Sequence, residues 1–482
     1  MIWIDYLIFG VYFTLVLGIG VFFYLKNKNK EDYYVGGRAI SSSHVGFSIV
    51  ATDVGGGFSI GLGGLGFLMG LSGSWLLFTG LVGAWLVAVL MIPKIKALDE
   101  KHHFLTYPDF LELRYNKPVS VTAAVISGIG YLGFTSAQVL AGAKLASGSV
   151  FADITWMDPL KFSLYLMAGI ILIYTVLGGL KAVIYTDTLQ WIVLLSGLLF
   201  FGLPFSYVKV VGWPIQPGSL SVLKEALPSS FFTLTNVSPV QLINWMVTII
   251  PVWFVAMTLY QRIFACRDVR SARKAFLIAG VLEYPLMAFL GVSLGLLARV
   301  VFPNVEAEMA MPMLLRHALP VGVTGIVLAA YFSAIMSTAD SCLIASSGNW
   351  VNDIIEKSMK RSYSEKAHIR LSQAVTLLIG VLALVLASAF RTVLEIILHA
   401  YAFMVAGLLV PTLGAYFWKK SHPAAALAAM IGGGSLTLVA ILSGIRLPYG
   451  LDASVFGILF SALLFFPLSL IFTKEADHAG PH

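Results

Sequence analysis

Residues 48–61 read SIVATDVGGGFSIG: a carboxylate, Asp53, and three consecutive glycines, Gly55, Gly56 and Gly57, interrupt an otherwise apolar segment. In a membrane, that interruption is costly twice. A charged side chain at the bilayer centre costs about 2.5–3.5 kcal/mol on insertion scales, and glycine loses more backbone freedom in a helix than any other residue. Backbone that leaves the helix at that depth must also find hydrogen-bond partners, because lipid supplies none. The stretch therefore predicts a broken helix whose break is buried in protein or lines a cavity, with something bound there to compensate the charge.

Composition establishes the solvent. The chain has 482 residues, 58% hydrophobic and only 11% charged, with a mean hydropathy of +0.88, far from the soluble globular range. At roughly 20 apolar residues per crossing, about thirteen spans are predicted, so the expected class is an all-α polytopic membrane protein. The basic loops KNKNKED, KIKALDEKHH, RIFACRDVRSARK, EKSMKRSYSEK and KKSH alternate with basic-poor ones. That asymmetry puts these loops in the cytoplasm, the N-terminus outside and the C-terminus inside, in a plasma or inner membrane. The net charge of +7 is shared among short loops and builds no patch for nucleic acid, which is excluded as a partner. The first apolar run lacks a basic n-region and a cleavage site, so it is expected to be retained. Cys266, in a cytoplasmic loop, and Cys342, inside a span, predict no structural disulfide.

A broken, polar-bearing helix early in a chain with an odd number of spans suggests inverted repeats, whose discontinuous helices meet at a midplane site. The matching break is expected five spans later, at Pro251 of VTIIPVWFVAMTLYQR, where proline removes an amide donor. The other polar concentration is YFSAIMSTADSCLIASSGNW, residues 331–350. Ser337 and Ser341 are four apart and Ser337 and Asp340 three apart, so one helical face presents hydroxyls and a carboxylate. Such a helix must face protein or water. Hard cations such as sodium want several oxygen ligands, which hydroxyls and unwound carbonyls provide without stacking charge in lipid; serines that knit helices together are the plainer reading of the same pattern.

EDYYVGGR (31–38), ATDVGGG (51–57), TYPDFLELRY (106–115), GGLKAVIYTDTLQ (178–190) and AIMSTADS (334–341) resemble, in this order, motifs of the sodium:solute symporter family, and the likeness runs from about Trp3 to Trp418. The resemblance implies a leucine-transporter-type fold of two inverted five-helix repeats. Its expected division is a peripheral first helix and linker (1–43), a first repeat (44–206), an external loop (207–240), a second repeat (241–418) and two peripheral helices (419–482). It also implies a sodium site formed by the carbonyls of Ala51, Val54 and Ala334 with the hydroxyls of Ser337 and Thr338.

In the proline-transporting branch the place of Asp53 is similar, an aspartate, so Asp53 is expected to hold the cation or an amino group of the solute. Asp187 resembles a family aspartate near a second sodium position, with Asp340 and Ser341 beside it. Gly55 and Phe58 replace the hydroxyls of that position, so one sodium per solute is expected. Asp187 as an anchor for the cytoplasmic end of its helix is the alternative.

The solute is expected among Asp53, Gly56, Gly57, Phe58, Tyr131, Gln138, Trp253, Met257, Tyr260 and Phe403. The run VWFVAMTLYQR departs from the pattern of proline carriers, and the caging tryptophan of choline carriers falls where this chain has Asp53. The expected function is therefore sodium-coupled import of a small organic solute, an amino acid or related zwitterion, by alternating access. A sugar, monocarboxylate or quaternary amine, and proton coupling, are alternatives. The partners are the solute, sodium and lipid, the protein acts as a monomer, and no cofactor beyond sodium is expected. An enzyme would need a nucleophile with its base or a metal cluster, and the KHHF pair His102 and His103 has no such company. Glu283, Glu395 and His399 are further ionisable groups inside spans, and Lys144 is expected to snorkel outward.

Overall fold

The computed structural model describes residues 3–26, 30–178, 180–215, 219–358, 363–445 and 447–478; the Phe58 side chain, expected at the solute site, lies outside the described residues. Among the described residues there is no β-strand, only a lone bridge between Ile40 and Cys266. By length and apolarity nine of the described helices suffice to cross a membrane, or ten if one bent pair counts as a single span. Two more, Trp3–Val16 and Pro159–Ile173, are apolar but shorter. The protein is an all-α integral membrane protein.

The first break lies where the glycines predict it. Helix α1 (Trp3–Lys26) is followed by α2 (Ser42–Asp53) and α3 (Gly56–Met69), with Gly55 extended between them at φ −34° and ψ −175°. Gly55 is required for proximity: a Cβ there would stand 1.6 Å from Thr338 Oγ1. The chain turns again at Gly70, whose φ of +69° favours glycine, before α4 (Trp75–Leu90).

Next come α5 (Tyr107–Arg114), the long α6 (Lys117–Gly148), α7 (Pro159–Gly178) and α8 (Leu180–Gly197). The second break separates α9 (Pro239–Val255) from α10 (Met257–Ala265), which meet at 44°. It falls at Ala256 and not at Pro251, which sits inside the continuous α9. Proline deletes one donor, but a helix leaves its path only where the freed groups find partners. Those partners are at Ala256: Tyr131 Oη accepts the Thr258 N–H at 3.0 Å, and Tyr260 Oη donates to the Phe254 carbonyl at 3.0 Å.

The remainder comprises α11 (Val269–Val281), α12 (Ala288–Val301), α13 (Ala307–Ala318), α14 (Val323–Gly348), α15 (Glu365–Ala387), α16 (Val393–Phe417), α17 (Pro423–Ser443) and α18 (Ala453–His478). The polar helix α14 is central, 94% of its apolar window being buried, as its hydroxyl content demands. It packs on α6 and α8, and α6 also packs along α16. Asp5 of α1 accepts the amides of Gly322 (2.7 Å) and Gly325 (3.2 Å), closing the start of α14.

Two expectations are corrected. Lys144 does not snorkel: it is buried, pairs with Glu306, and lies 2.6 Å from Glu308, whose carboxylate also accepts the Val393 and Leu394 amides at the start of α16. A buried ammonium is held by such an ion pair more firmly than by a stretch to the interface. Residues 262–266 are not loop: Arg262 and Cys266 are fully buried.

Gly55→Ala is expected to lower stability by about 1–3 kcal/mol through overpacking against Thr338, whereas Gly61→Ala, whose Cβ would meet nothing closer than 3.4 Å, should fall within about 0.5 kcal/mol of wild type. Equal melting temperatures for the two purified variants would remove the steric account of the break.

Candidate functional site

The first break delivers unwound backbone to α14. Thr338 Oγ1 donates to the Ala51 carbonyl at 3.0 Å and the Ala334 carbonyl at 3.2 Å. The Val54 carbonyl accepts Ser59 Oγ at 2.8 Å. Three of the five expected sodium ligands thus meet at one hydroxyl. Ser337 Oγ, one residue earlier, turns to Asp187 Oδ1 at 2.5 Å. The donor set is hard, neutral oxygen in a buried setting, which suits a dehydrated alkali cation once the Thr338 hydroxyl turns its hydrogen away.

Asp187 has a partner that the sequence left among loop residues. Arg262, wholly buried, places Nη2 3.2 Å from Asp187 Oδ2 and 2.8 Å from Ser341 Oγ, also bonds Thr52 Oγ1 with Nη2, and reaches Ser48 Oγ with Nε at 3.1 Å. Ser48 in turn bonds Asp187. The cluster ties α2, α8, α10 and α14 together. A guanidinium stands among the oxygens of Asp187, Ser341 and Thr52. Asp340 is on another face of α14, where Thr175 of α7 bonds its Oδ1 and Oδ2 has no partner. The signal for Arg262 was present: it sits only six residues beyond the broken segment at Ala256, within reach of a buried aspartate.

The expected solute residues divide. Gly57 N–H donates to Gln138 Oε1 at 3.0 Å, and Gln138 Nε2 is buried without a partner. Tyr131, on the same helix, serves the second break, its hydroxyl 3.0 Å from Thr258 Oγ1. A Cβ on Gly56 would meet Ile335 at 1.6 Å, so this glycine makes room for α14. Met257 accepts the Tyr107 amide and the Tyr260 ring stands 4.8 Å from that of Tyr107, both directed to α5. Trp253 packs on Phe276, centroids 5.9 Å apart, and Phe403 faces Gly434 of α17. Trp253 also lies against Gly83 of α4.

Asp53 turns towards α4. A Cβ built on Gly80 would lie 3.6 Å from Asp53 Oδ2 and 2.6 Å from Glu283 Oε2. Glu283, left out of the expected site, stands on the other side of Gly80 from Asp53.

Residues 33–433 match the profile of the sodium:solute symporter family. The chain belongs to that family. It is a sodium-coupled symporter of a small organic solute. The symporter is 26% identical over 466 residues to the high-affinity proline transporter PutP of Bacillus subtilis, covering 93% of this chain and 96% of that protein. It is 25% identical over 501 residues to the sodium/glucose cotransporter of Vibrio parahaemolyticus, covering 96% and 89%. Its fold is similar to that of an outward-open Na+-coupled sialic acid symporter, with a TM-score of 0.78, 19% identity and coverage of 97% and 98%.

Breaking a buried ion pair at one end costs about 3–5 kcal/mol. Arg262→Met and Asp187→Asn are each expected to destabilise the symporter on that scale, and the double variant to lose clearly less than the sum. Additive losses in a double-mutant cycle of chemical or thermal unfolding would show that the two side chains act independently.

Proposed function

We propose that this symporter imports a small organic solute bearing a positively charged nitrogen, an amino acid or related amine, with one sodium ion per cycle. The ion is bound by the carbonyls of Ala51, Val54 and Ala334 and the hydroxyls of Ser337 and Thr338. The observation that supports this most is the bridge from Thr338 to the Ala51 and Ala334 carbonyls, one hydroxyl joining the broken helix to α14. Asp53, two residues from Ala51, contacts the solute. Gly57 and Gln138 line the same space.

Asp187, Asp340 and Ser341 do not form a second sodium site in this reading. The Arg262 guanidinium already neutralises Asp187 and engages Ser341, and Asp340 serves its own partner on α7. The architecture proposed around the site is about thirteen spans in a leucine-transporter-type arrangement of inverted repeats, 44–206 and 241–418, each with one broken helix. The N-terminus is outside and the C-terminus cytoplasmic, and the monomer is the working unit. The relatives named above carry proline, a zwitterion, and glucose, an uncharged sugar, so they do not fix the charge of this solute, and the departure of residues 252–262 from the proline-carrier pattern argues for a solute other than proline.

Thr338→Ala removes a direct ligand, and losing one polar contact of this kind is worth about 1–3 kcal/mol. The sodium concentration for half-maximal uptake should therefore rise about fivefold or more, with Thr338→Ser keeping most of the affinity. Proteoliposomes charged with a sodium gradient at fixed pH, against a proton gradient without sodium, provide the readout. Unchanged sodium dependence in Thr338→Ala would place the ion elsewhere, and uptake driven by the proton gradient alone would replace sodium with protons.

A further inference from the structure

Among the described residues the Glu283 carboxylate has no hydrogen-bond partner on either oxygen although the residue is wholly buried, in the irregular turn Leu282–Met287 between α11 and α12. Buried polar groups are ordinarily satisfied, so an orphaned carboxylate marks a place where something else binds. Asp53 stands across from it, and both oxygens lie within 4 Å of the point where a Gly80 side chain would begin. Gly80 leaves that point open. Tyr401, stacked on Phe134 with centroids 5.1 Å apart, is within electrostatic reach of both carboxylates.

A separate cavity has an acidic lining as well. A cavity of about 1000 Å³ runs along α3 and α16, from Gly61 and Gly64 on the far side of the first break. Its ionisable lining is Glu306, Glu308, Glu395, Asp452 and His399, with no lysine or arginine. Lys144 offsets only part of that charge. Such a lining attracts cations and repels anions; Asp53 and Glu283 are not part of it.

Resting on the sodium-coupled reading above, we propose that Asp53 and Glu283 together form the receptor for the ammonium group of the solute, and that the solute is a net cation: an organic amine whose positive charge exceeds any carboxylate it carries. An ammonium brings its own donors and needs acceptors at about 2.7–2.9 Å, and Glu283 offers two acceptor oxygens that have no partner among the described residues. A sodium ion would need several more oxygens, while the neighbours here are Gly80 and, one turn away on α4, Gly83 against the Trp253 ring. A net-neutral amino acid satisfies one carboxylate and leaves the other charged in a dry site.

The test uses purified full-length protein, with thermal shift recorded with and without sodium. The probes are methylammonium, putrescine, agmatine and lysine, set against proline, alanine, glucose and lactate. Amines of the first group should stabilise the sodium-loaded protein, the second group should not, and Glu283→Gln should weaken the amine effect about tenfold or more without moving the response to sodium alone. Were Glu283 simply a protonated, neutral acid, Gln would leave amine affinity unchanged, and that result overturns the proposal. So does a shift of the sodium response by Glu283→Gln, which makes this residue part of the ion site, and so does stabilisation by the neutral or zwitterionic set alone, or by no amine at all. Gly80→Ala, which places a methyl between the two carboxylates, should reproduce the loss and guards against a folding defect in the first variant. Failure of the sodium reading is separable: it removes the sodium response of wild type and leaves the amine comparison intact.

Discussion

Unwound backbone at membrane depth cannot turn to lipid for hydrogen bonds, and the architecture of this symporter is arranged around that constraint. Both breaks are answered from a single helix. Gln138 takes the Gly57 amide and Tyr131 takes the Thr258 amide. The two residues are seven apart on α6, two turns along one face. Because α6 also packs along α14 and α16, the element that satisfies the breaks is itself supported by two other long helices. A helix can be broken there only because its freed groups are met by side chains on a fixed support.

The buried carboxylates extend the same logic to charge. Asp187 is compensated by a guanidinium, Glu308 by Lys144 and two helix-terminal amides, and Asp340 by a threonine hydroxyl on one oxygen. These arrangements join helices, and a satisfied buried pair is costly to break at either end although it adds little net stability. Glu283 differs in having nothing. The fold tolerates that cost at the place where Asp53, itself at the end of a broken helix, faces the same gap. Asp187 and Glu308 are matched by basic partners within the scaffold, whereas Glu283 has no basic partner among the ion pairs of the described residues.

Hydropathy, the position of the first break and the burial of α14 were legible in the sequence, because each follows from local composition: three glycines beside a carboxylate, and hydroxyls too dense for lipid; the meeting of Thr338 with the broken helix was implied only by the family resemblance. The second break was misplaced onto Pro251 because proline is a visible signal, while the residues that stabilise the bend at Ala256 come from another helix, Tyr131, and from six residues after Phe254, Tyr260. Arg262 and Lys144 were read as loop or snorkelling residues since basic side chains count as exposed until a partner is known. Asp187 and Glu308 lie 75 and 164 positions away from them in the chain, and no spacing reveals such pairs. Glu283 was visible as a charge inside a span but unplaced for the same reason.

Coupling between ion and solute then has a short physical path. In the proposed site Ala51 and Val54 bracket Asp53, so the residues that would bind sodium and the residue that would bind the amine share one turn of chain. The Thr338 hydroxyl gives its hydrogen to the Ala51 carbonyl; in the proposed site a sodium ion would take that carbonyl and the hydroxyl lone pair together, which requires α2 and α14 to be apposed. A ligand shifts a conformational equilibrium only through its differential affinity for the two states. An ion that binds across the α2–α14 seam has that difference built in, and by fixing the seam it fixes the direction in which Asp53 points towards Glu283. An amine held by the two carboxylates, as proposed, would pin α2 against the α11–α12 turn in the same way, so each ligand would lower the ordering cost of the other by reciprocal linkage.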